Sequence, residues 1–224
     1  QGQAIPCEHK MLGECLQEAG YATFGTGKWH NSSDSYARSF GDGAEIFFGG
    51  MEDHWNVPAC RFDPTGEYDI FKPAVRNAFY SNEVVHRQCD HITPGKHSSE
   101  LFCDATIDFL ERYEGHAPFF AYVSFMAPHD PRTMPARYRQ MYEPAEIDVP
   151  PNLLPDHPFD NGALRIRDEM LAPWPRTPDE MRRHIAEYYA MITHADAQMA
   201  RVLQALELLD QLDAHPLVHM SGNS

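Results

Sequence analysis

Residues 20–30 read Gly-Tyr-Ala-Thr-Phe-Gly-Thr-Gly-Lys-Trp-His, and this stretch decides the fold that the rest of the chain is predicted to adopt. Its apolar, β-prone residues predict a strand that runs into two glycines and then delivers a lysine and a histidine. Because alternate side chains of an extended chain point the same way, Lys28 and His30 should face one site while Trp29 packs behind them. A fixed cation beside a titratable imidazole suits an oxyanion substrate. The alternative is a strand end with a surface lysine and a core histidine.

The size and charge of the chain exclude several classes of protein. Its 224 residues, 42% of them apolar, suit one large domain or a piece of one with a true core. No apolar run reaches the roughly 18 residues that a transmembrane helix needs. The formal net charge is −15. Because nucleic-acid binding needs clustered Lys and Arg, we predict no nucleic-acid partner, although a small anion can bind where a few cations converge.

The cysteines indicate neither a zinc site nor a redox compartment. All five are scattered, without a C-x-x-C pair, which argues against a zinc site of the usual spacing. An odd number leaves at least one thiol unpaired within the chain, and the pattern does not decide between an oxidising and a reducing compartment.

Two helices are predicted in the first half of the chain. Residues 9–19 place apolar side chains at helical spacing, and Gly20 is a natural stop. Ser98 or Ser99 can cap a second helix that runs to about Tyr113.

A long third helix is predicted near the end of the chain. Thr177, the proline after it and the glutamate three positions on form a strong start signal for a helix of roughly 30 residues. On this helix we predict Met191 in the core and His194 on the surface.

Short apolar runs alternate with these helices and predict the strands. Besides the opening motif, residues 46–48 are a candidate strand, and residues 119–125 form an aromatic-rich run typical of a buried parallel strand. Residues 216–220 resemble another short strand. This order predicts an α/β fold with a mostly parallel central sheet flanked by helices. The loop Ala127–Pro131 would then lie at the carboxyl end of a strand, where ligands bind in such sheets.

Proline is concentrated in one stretch. Of 18 prolines, 11 fall at positions 128–178. Proline opposes regular structure, and long loops inside compact domains are usually functional or linkers. We therefore predict an ordered, irregular stretch at about 128–178 that edges a substrate cleft, within one domain to which all of residues 1–224 belong.

Three blocks of this sequence resemble the sulfatase family (type I, formylglycine-dependent), within the alkaline phosphatase-like superfamily. Gly20–Thr23 and Gly27–His30 are similar to the family's G-Y-x-T and G-K-W-H segments, and Ala127–Pro131 is similar to its A-P-H block. Residues 188–203 resemble the long helix that precedes the family's metal-binding strand end. Order and spacing agree along most of the chain. Within the family, the chain looks most like bacterial choline or polysaccharide sulfatases.

The resemblance implies a sulfuric ester hydrolase that cleaves the S–O bond of a small-molecule or carbohydrate sulfate ester. In the family a formylglycine, made from Cys or Ser in a C/S-x-P-x-R segment, attacks sulfur, and calcium polarises the sulfate oxygens. By position, Lys28 would bind a sulfate oxygen and the nucleophile, and His30 would be the base that expels sulfate. His129 would bind sulfate at the bridging oxygen and protonate the leaving alcohol. These residue types suit those roles. Relatives are commonly exported, which favours a periplasmic or extracellular location.

Asp53, His54 and Trp55 are further candidates for substrate binding. They lie downstream of the lysine block in the sequence and would meet a sugar or a cationic head group at the rim of the cleft. The alternative is a turn with a packed tryptophan.

The sequence departs from the family pattern at both ends. No cysteine is followed by x-Pro-x-Arg, so we expect the nucleophile segment to precede residue 1. Near residue 224, alignment with the family places Gly222 where the metal-binding aspartate belongs and Asn223 at the second ligand position. One neutral amide is not a calcium site. We therefore predict a sulfatase fragment, incomplete at both ends and inactive by itself. The alternatives are a degenerate anion-binding domain without turnover and a phosphodiesterase-type relative, which would lack the G-K-W-H block.

Overall fold

The computed structural model describes residues 5–75, 82–162, 164, 169–210 and 216–220. The chain forms two compact units: residues 1–127 with 197–224 make the first unit, and residues 128–196 make the second unit. That both belong to one catalytic domain stays a prediction.

Helices and strands both occur in the first unit, with five strands in succession between the second and third helices. Its elements, in chain order, are α1 (Leu12–Glu18), β1 (Ala22–Lys28), α2 (Ser33–Ser39), β2 (Asp42–Phe47), β3 (Pro58–Ala59), β4 (Phe71–Val75), β5 (Val84–Gln88), β6 (His91–Ile92), α3 (Ser98–Arg112) and β7 (Phe119–Ser124).

The second unit has less regular structure. Within the described part of residues 128–177, regular structure consists of α4 (Ala136–Arg139) and two 3-10 turns, Pro144–Glu146 and Glu169–Leu171. The helix α5 (Pro178–Leu208) begins in this unit, and its last turns belong to the first unit. Neither α5 nor any other helix in the described part of the chain is long and apolar enough to cross a membrane.

A parallel sheet of three strands forms the centre of the first unit. The strand order is β2-β1-β7, and β1 is parallel to both neighbours. The last residue of β1, Lys28, pairs with Phe47 of β2, and Gly27 pairs with Ser124 of β7. All three strands therefore end at the same edge. The predicted α/β fold with a parallel sheet flanked by helices is confirmed.

Gly27 allows β1 to lie this close to β7. A Cβ atom at position 27 would lie 1.9 Å from the backbone carbonyl oxygen of Ser124, a distance that no side chain can occupy. The residue also has φ +89°, in the left-handed region that favours glycine. The second glycine of the G-x-G pattern is therefore a requirement of the strand pairing.

Helix α3 covers one face of the sheet and has an unexpected cap. The ring of Phe109 stacks on Phe24 of β1 with centroids 4.4 Å apart. The residue that caps the helix is His97, whose Nδ1 accepts a hydrogen bond from the backbone N–H of Ser99 at 3.2 Å. The prediction of Ser98 or Ser99 as the cap is wrong because a cap needs extended backbone, and both serines already lie in the first turn.

The buried face of α5 differs from its apolar pattern. Met191 is fully buried, as predicted, but His194 is also fully buried and lies against Tyr138, with ring centroids 4.8 Å apart. The prediction of His194 as a surface residue is therefore wrong. His194 follows the buried Ala190 by one turn, so both residues share one face of the helix.

Residues 216–220 do not form the predicted strand. Within the described residues they pair with no other strand, and Leu217 and Val218 are largely exposed. A strand is stabilised by hydrogen bonds from a neighbouring strand. An apolar pattern of five residues does not show whether such a neighbour is present.

All five cysteines are free thiols. Burial raises the pKa of Cys60 and of Cys103 to about 12, so neither is a reactive thiolate near neutral pH.

A carboxylate–imidazole–carboxylate cluster joins β2 to β6. The β1–β2 register skips Glu45, which bulges from the strand with φ +50°. Its Oε2 lies 2.8 Å from Nε2 of His91, and Nδ1 of His91 contacts Oδ1 of Asp90. Burial by itself lowers the pKa of His91, but hydrogen bonds to both carboxylates outweigh it and raise the pKa above its ordinary value.

Replacing Gly27 should destabilise the first unit strongly. We expect Gly27→Ala to lower the free energy of unfolding by about 3 kcal/mol or more, because the methyl group meets the Ser124 carbonyl in a left-handed backbone. Gly20→Ala is the matched control: Gly20 has φ +88°, but open space surrounds the position of its Cβ. It should cost about 1 kcal/mol. Urea denaturation followed by tryptophan fluorescence measures both, and equal losses would contradict this explanation.

The His91 cluster should make stability depend on pH. Because the folded pKa is raised, the stabilisation is complete below the ordinary pKa of about 6.5 and is lost as pH rises through the folded value. We expect His91→Gln to lower the free energy of unfolding by on the order of 1 kcal/mol at a pH just below about 6.5. At a pH above the folded pKa of His91, the loss should be much smaller. His86→Gln, at an exposed position of β5, should show no such dependence. A pH-independent difference for His91→Gln would refute the assignment.

Candidate active site

The carboxyl end of β1 carries Lys28, and Trp29 and His30 follow directly along the chain. Between them, Trp29 is only 8% exposed, and its Nε1–H donates to Ser35 Oγ at 3.0 Å. The rings of Tyr36 and Phe40 meet its indole edge-on. The predicted burial of Trp29 is therefore confirmed, and that Lys28 and His30 face one site stays a prediction.

Lys28 is a partly desolvated cation. Its side chain is half-buried, and burial lowers the pKa of its ammonium group. Among the residues that the structure describes, none forms a hydrogen bond or ion pair with this ammonium. A cation that has lost hydration without gaining a partner favours an anionic ligand, because the ligand restores the missing electrostatic stabilisation.

His30 lies two residues further on and is exposed, beyond the end of β1. Its imidazole is open to solvent, so it can exchange protons with a bound ligand or with water.

The segment Asp53–Trp55 follows β2, whose last residue pairs with Lys28. The Asp53 carboxylate accepts from the backbone N–H of Trp55 at 3.0 Å, which forms a local turn. His54 is completely buried, with Nδ1 2.7 Å from Ser98 Oγ and its ring stacked on that of His97. Trp55 is half-buried and meets His97 edge-on. The burial of His54 favours a structural role at the start of α3.

His129 belongs to the second unit, in the loop that follows β7 along the chain. It is half-buried, and Nδ1 lies 3.3 Å from the backbone carbonyl oxygen of Asp130. A carbonyl only accepts, so this contact places the proton of the neutral ring on Nδ1.

A cavity of about 300 Å³ opens beside this loop, within the second unit. Arg132 and His184 lie in its wall, with Nη2 and Nδ1 2.9 Å apart. Neither residue of this pair was predicted as a site residue. A signal was present, since Glu180, His184 and Glu187 follow one another at helical spacing and share one face of α5. The described residues that line the cavity are Pro128, Asp130, Arg132, Leu171, Ala172, Arg176, Met181, His184 and Tyr188.

The described residues do not fit the calcium ion that the family resemblance implies. Within the described ranges, no group of three or more His, Cys, Asp or Glu side chains is arranged to hold a metal ion. The predicted ligand Asn223 lies outside the described residues, as does Gly222.

Comparisons with known proteins agree with the family resemblance of the sequence. The family model described as Sulfatase matches residues 3–223. An uncharacterized sulfatase of Schizosaccharomyces pombe is 29% identical over 95% of the chain, and an arylsulfatase of Klebsiella aerogenes is 25% identical over 95% of it. The chain spans 40% and 46% of the lengths of these two relatives.

Solved structures share the fold at low sequence identity. One, of a protein in complex with its substrate D-glucosamine-2-N,6-O-disulfate, matches 94% of this chain and 49% of its own with a TM-score of 0.59 and 17% identity. Another, in complex with k-i-k-neocarrahexaose, matches 94% of this chain and 39% of its own with a TM-score of 0.56 and 17% identity.

The environment of Lys28 predicts a gain in stability when its charge is removed. We expect Lys28→Met to raise the free energy of unfolding by about 0.5 kcal/mol, because the apolar stem is kept and the desolvated charge is gone. Lys96→Met is the contrasting control, since Lys96 pairs with Asp104, and it should be neutral or destabilising. Added sulfate should raise the melting temperature of the wild type and not that of Lys28→Met. A destabilised Lys28→Met that still responds to sulfate would contradict this interpretation.

Proposed function

The chain belongs to the sulfatase family, and from this premise we propose that the protein hydrolyses a sulfate ester by breaking its S–O bond. The chain covers less than half of the relatives described above, so the activity is proposed for the whole protein. The observation that carries the proposal is the half-buried ammonium group of Lys28, which has no partner among the described residues, at the carboxyl edge of a parallel sheet. Such an edge is where ligands bind in α/β folds.

The proposed roles follow from the type and setting of each residue. Lys28 binds a sulfate oxygen and the nucleophile, since its charge is permanent near neutral pH. His30 accepts a proton as sulfate is released, because its exposed imidazole can exchange that proton with water.

His129 acts at the bridging oxygen. With Nδ1 bound to the Asp130 carbonyl, its Nε2 is the nitrogen that meets the ester. In the protonated ring, Nε2–H donates to the bridging oxygen and transfers its proton to the leaving alcohol.

The proposal includes the two groups that the family uses, calcium and a formylglycine nucleophile. Calcium would strengthen the polarisation of the sulfate, and formylglycine would supply the attacking oxygen. Because the described residues provide neither a metal cluster nor, by sequence, a C-x-P-x-R segment, residues other than the described ones would supply them. Asn223 remains a proposed metal ligand.

The proposed substrate is a carbohydrate sulfate ester. Two structures with the same fold were solved with D-glucosamine-2-N,6-O-disulfate and with k-i-k-neocarrahexaose bound. In this chain Asp53 and Trp55 would contact the sugar, since both side chains are half-buried and Trp55 offers an aromatic ring. His54 is fully buried, so it would contribute by holding Asp53 and Trp55 in position.

The test is sulfate release by protein from the complete open reading frame, coexpressed with a formylglycine-generating enzyme. An aryl sulfate and a panel of sugar sulfates are offered. We expect Lys28→Ala and His129→Ala each to lower kcat/KM on the order of 10²- to 10³-fold, as for removal of a group that stabilises transition-state charge. Lys72→Ala, at an exposed position of β4, is the control and should leave kcat/KM unchanged.

The other outcomes separate the alternatives. Sulfate binding by calorimetry without turnover of any ester would indicate an anion-binding domain and reject the hydrolase. Turnover of a phosphodiester in preference to every sulfate ester would indicate a phosphodiesterase-type relative. Turnover of sulfate esters that survives Lys28→Ala would refute the role given to Lys28.

A further inference from the structure

Arg132 is the centre of an ion-pair cluster within the second unit. Its side chain is 20% exposed, and Nη1 lies 3.2 Å from Oδ1 of Asp130. Its Nη2 lies 2.9 Å from Nδ1 of His184, and its Nε lies 3.5 Å from Oε2 of Glu187. One guanidinium group thus joins the loop after β7 to two residues of α5.

The contact with His184 requires a neutral imidazole of one tautomer. Arg132 can only donate, so Nδ1 of His184 accepts, and Nε2–H donates to Oε1 of Glu180 at 3.1 Å. Burial and the charge of Arg132 lower the pKa of His184, which keeps it neutral near pH 7. The charged groups that face His184 are Arg132, Glu187, Arg183, Asp130 and Glu180.

Asp130 connects the cluster to His129. The carboxylate of Asp130 is held by Arg132, while its backbone carbonyl receives the Nδ1 contact of His129 at 3.3 Å. Holding the Asp130 side chain therefore limits the movement of the Asp130 backbone carbonyl. The contact with this carbonyl is what favours the Nδ1–H tautomer of His129. Second partners of this kind orient reactive imidazoles in many sites.

We propose that Arg132 is a positioning residue: through Asp130 it holds His129 with the proton on Nδ1 and Nε2 directed to the reaction, using His184 and Glu187 of α5 as its fixed support. A planar fork that meets three partners at once suits this task better than a point charge. The part of the inference that concerns catalysis rests on the proposed function of His129.

The test is the tautomer of His129, measured by NMR on the ¹⁵N-histidine-labelled protein from the complete open reading frame. In the wild type we expect the neutral ring to carry its proton on Nδ1. In Arg132→Met we expect a shift toward the Nε2–H form, together with a rise in the pKa of His184, because the neighbouring positive charge is removed. His129→Gln and His184→Gln assign the signals.

Arg139→Met is the matched control. Arg139 also faces Glu187, but at 3.8 Å and with 71% of its side chain exposed, so the tautomer of His129 should not change. Arg132→Lys keeps the charge and loses the fork, and we expect an intermediate tautomer ratio. Should Arg132→Met fail to fold, Arg132→Lys decides the matter. A wild-type tautomer ratio in the folded Arg132 variants would overturn the proposal.

Kinetics then separate this inference from the proposed function. With a turned-over ester, we expect Arg132→Met to lower kcat on the order of 10- to 100-fold while KM changes by less than about threefold, as for a misplaced catalytic group. If the wild type turns over no sulfate ester, the proposed function fails, and the NMR result still decides whether Arg132 positions His129. A large rise in KM at unchanged kcat would instead make Arg132 a substrate-binding residue and reject the positioning role.

Discussion

The contact of Gly27 with the backbone of Ser124 is the constraint on which the rest of the first unit depends. Because position 27 carries no Cβ, β1 can pair with β7 while its chain turns through a left-handed backbone. The parallel pairing on both sides of β1 then brings three strand ends to one edge. Lys28 and His30 owe their place to this edge, and Trp29 anchors them from the core.

The same edge places a charge where it is poorly hydrated. Lys28 has lost part of its water without gaining a partner among the described residues, and its pKa is lowered as a result. This is unfavourable for folding and favourable for binding an anion. A stability cost at a residue that a ligand would compensate is typical of binding sites. The buried core beneath, where Phe24 stacks on Phe109, supplies the stability that tolerates it.

In the second unit, electrostatics replaces regular secondary structure as the organising interaction. Arg132 joins the loop of His129 to α5 through side chains that are mostly buried, and His184 can take part only while neutral. Proline-rich chain cannot make the backbone ladders of a sheet or helix. Ion pairs and hydrogen bonds between side chains therefore connect this loop to α5.

The sequence by itself determined the α/β class, the strand of the opening motif, the long helix α5 and the family, because these depend on local periodicity, turn residues and motif spacing. It did not place His97 as the cap of α3, His194 in the interior, residues 216–220 outside any strand, or Arg132 against His184. Only the tertiary structure decided these features. Burial, strand pairing and ion pairs between distant residues depend on which neighbours the fold brings together. The hydrophobic pattern of one chain segment does not show which neighbours these are.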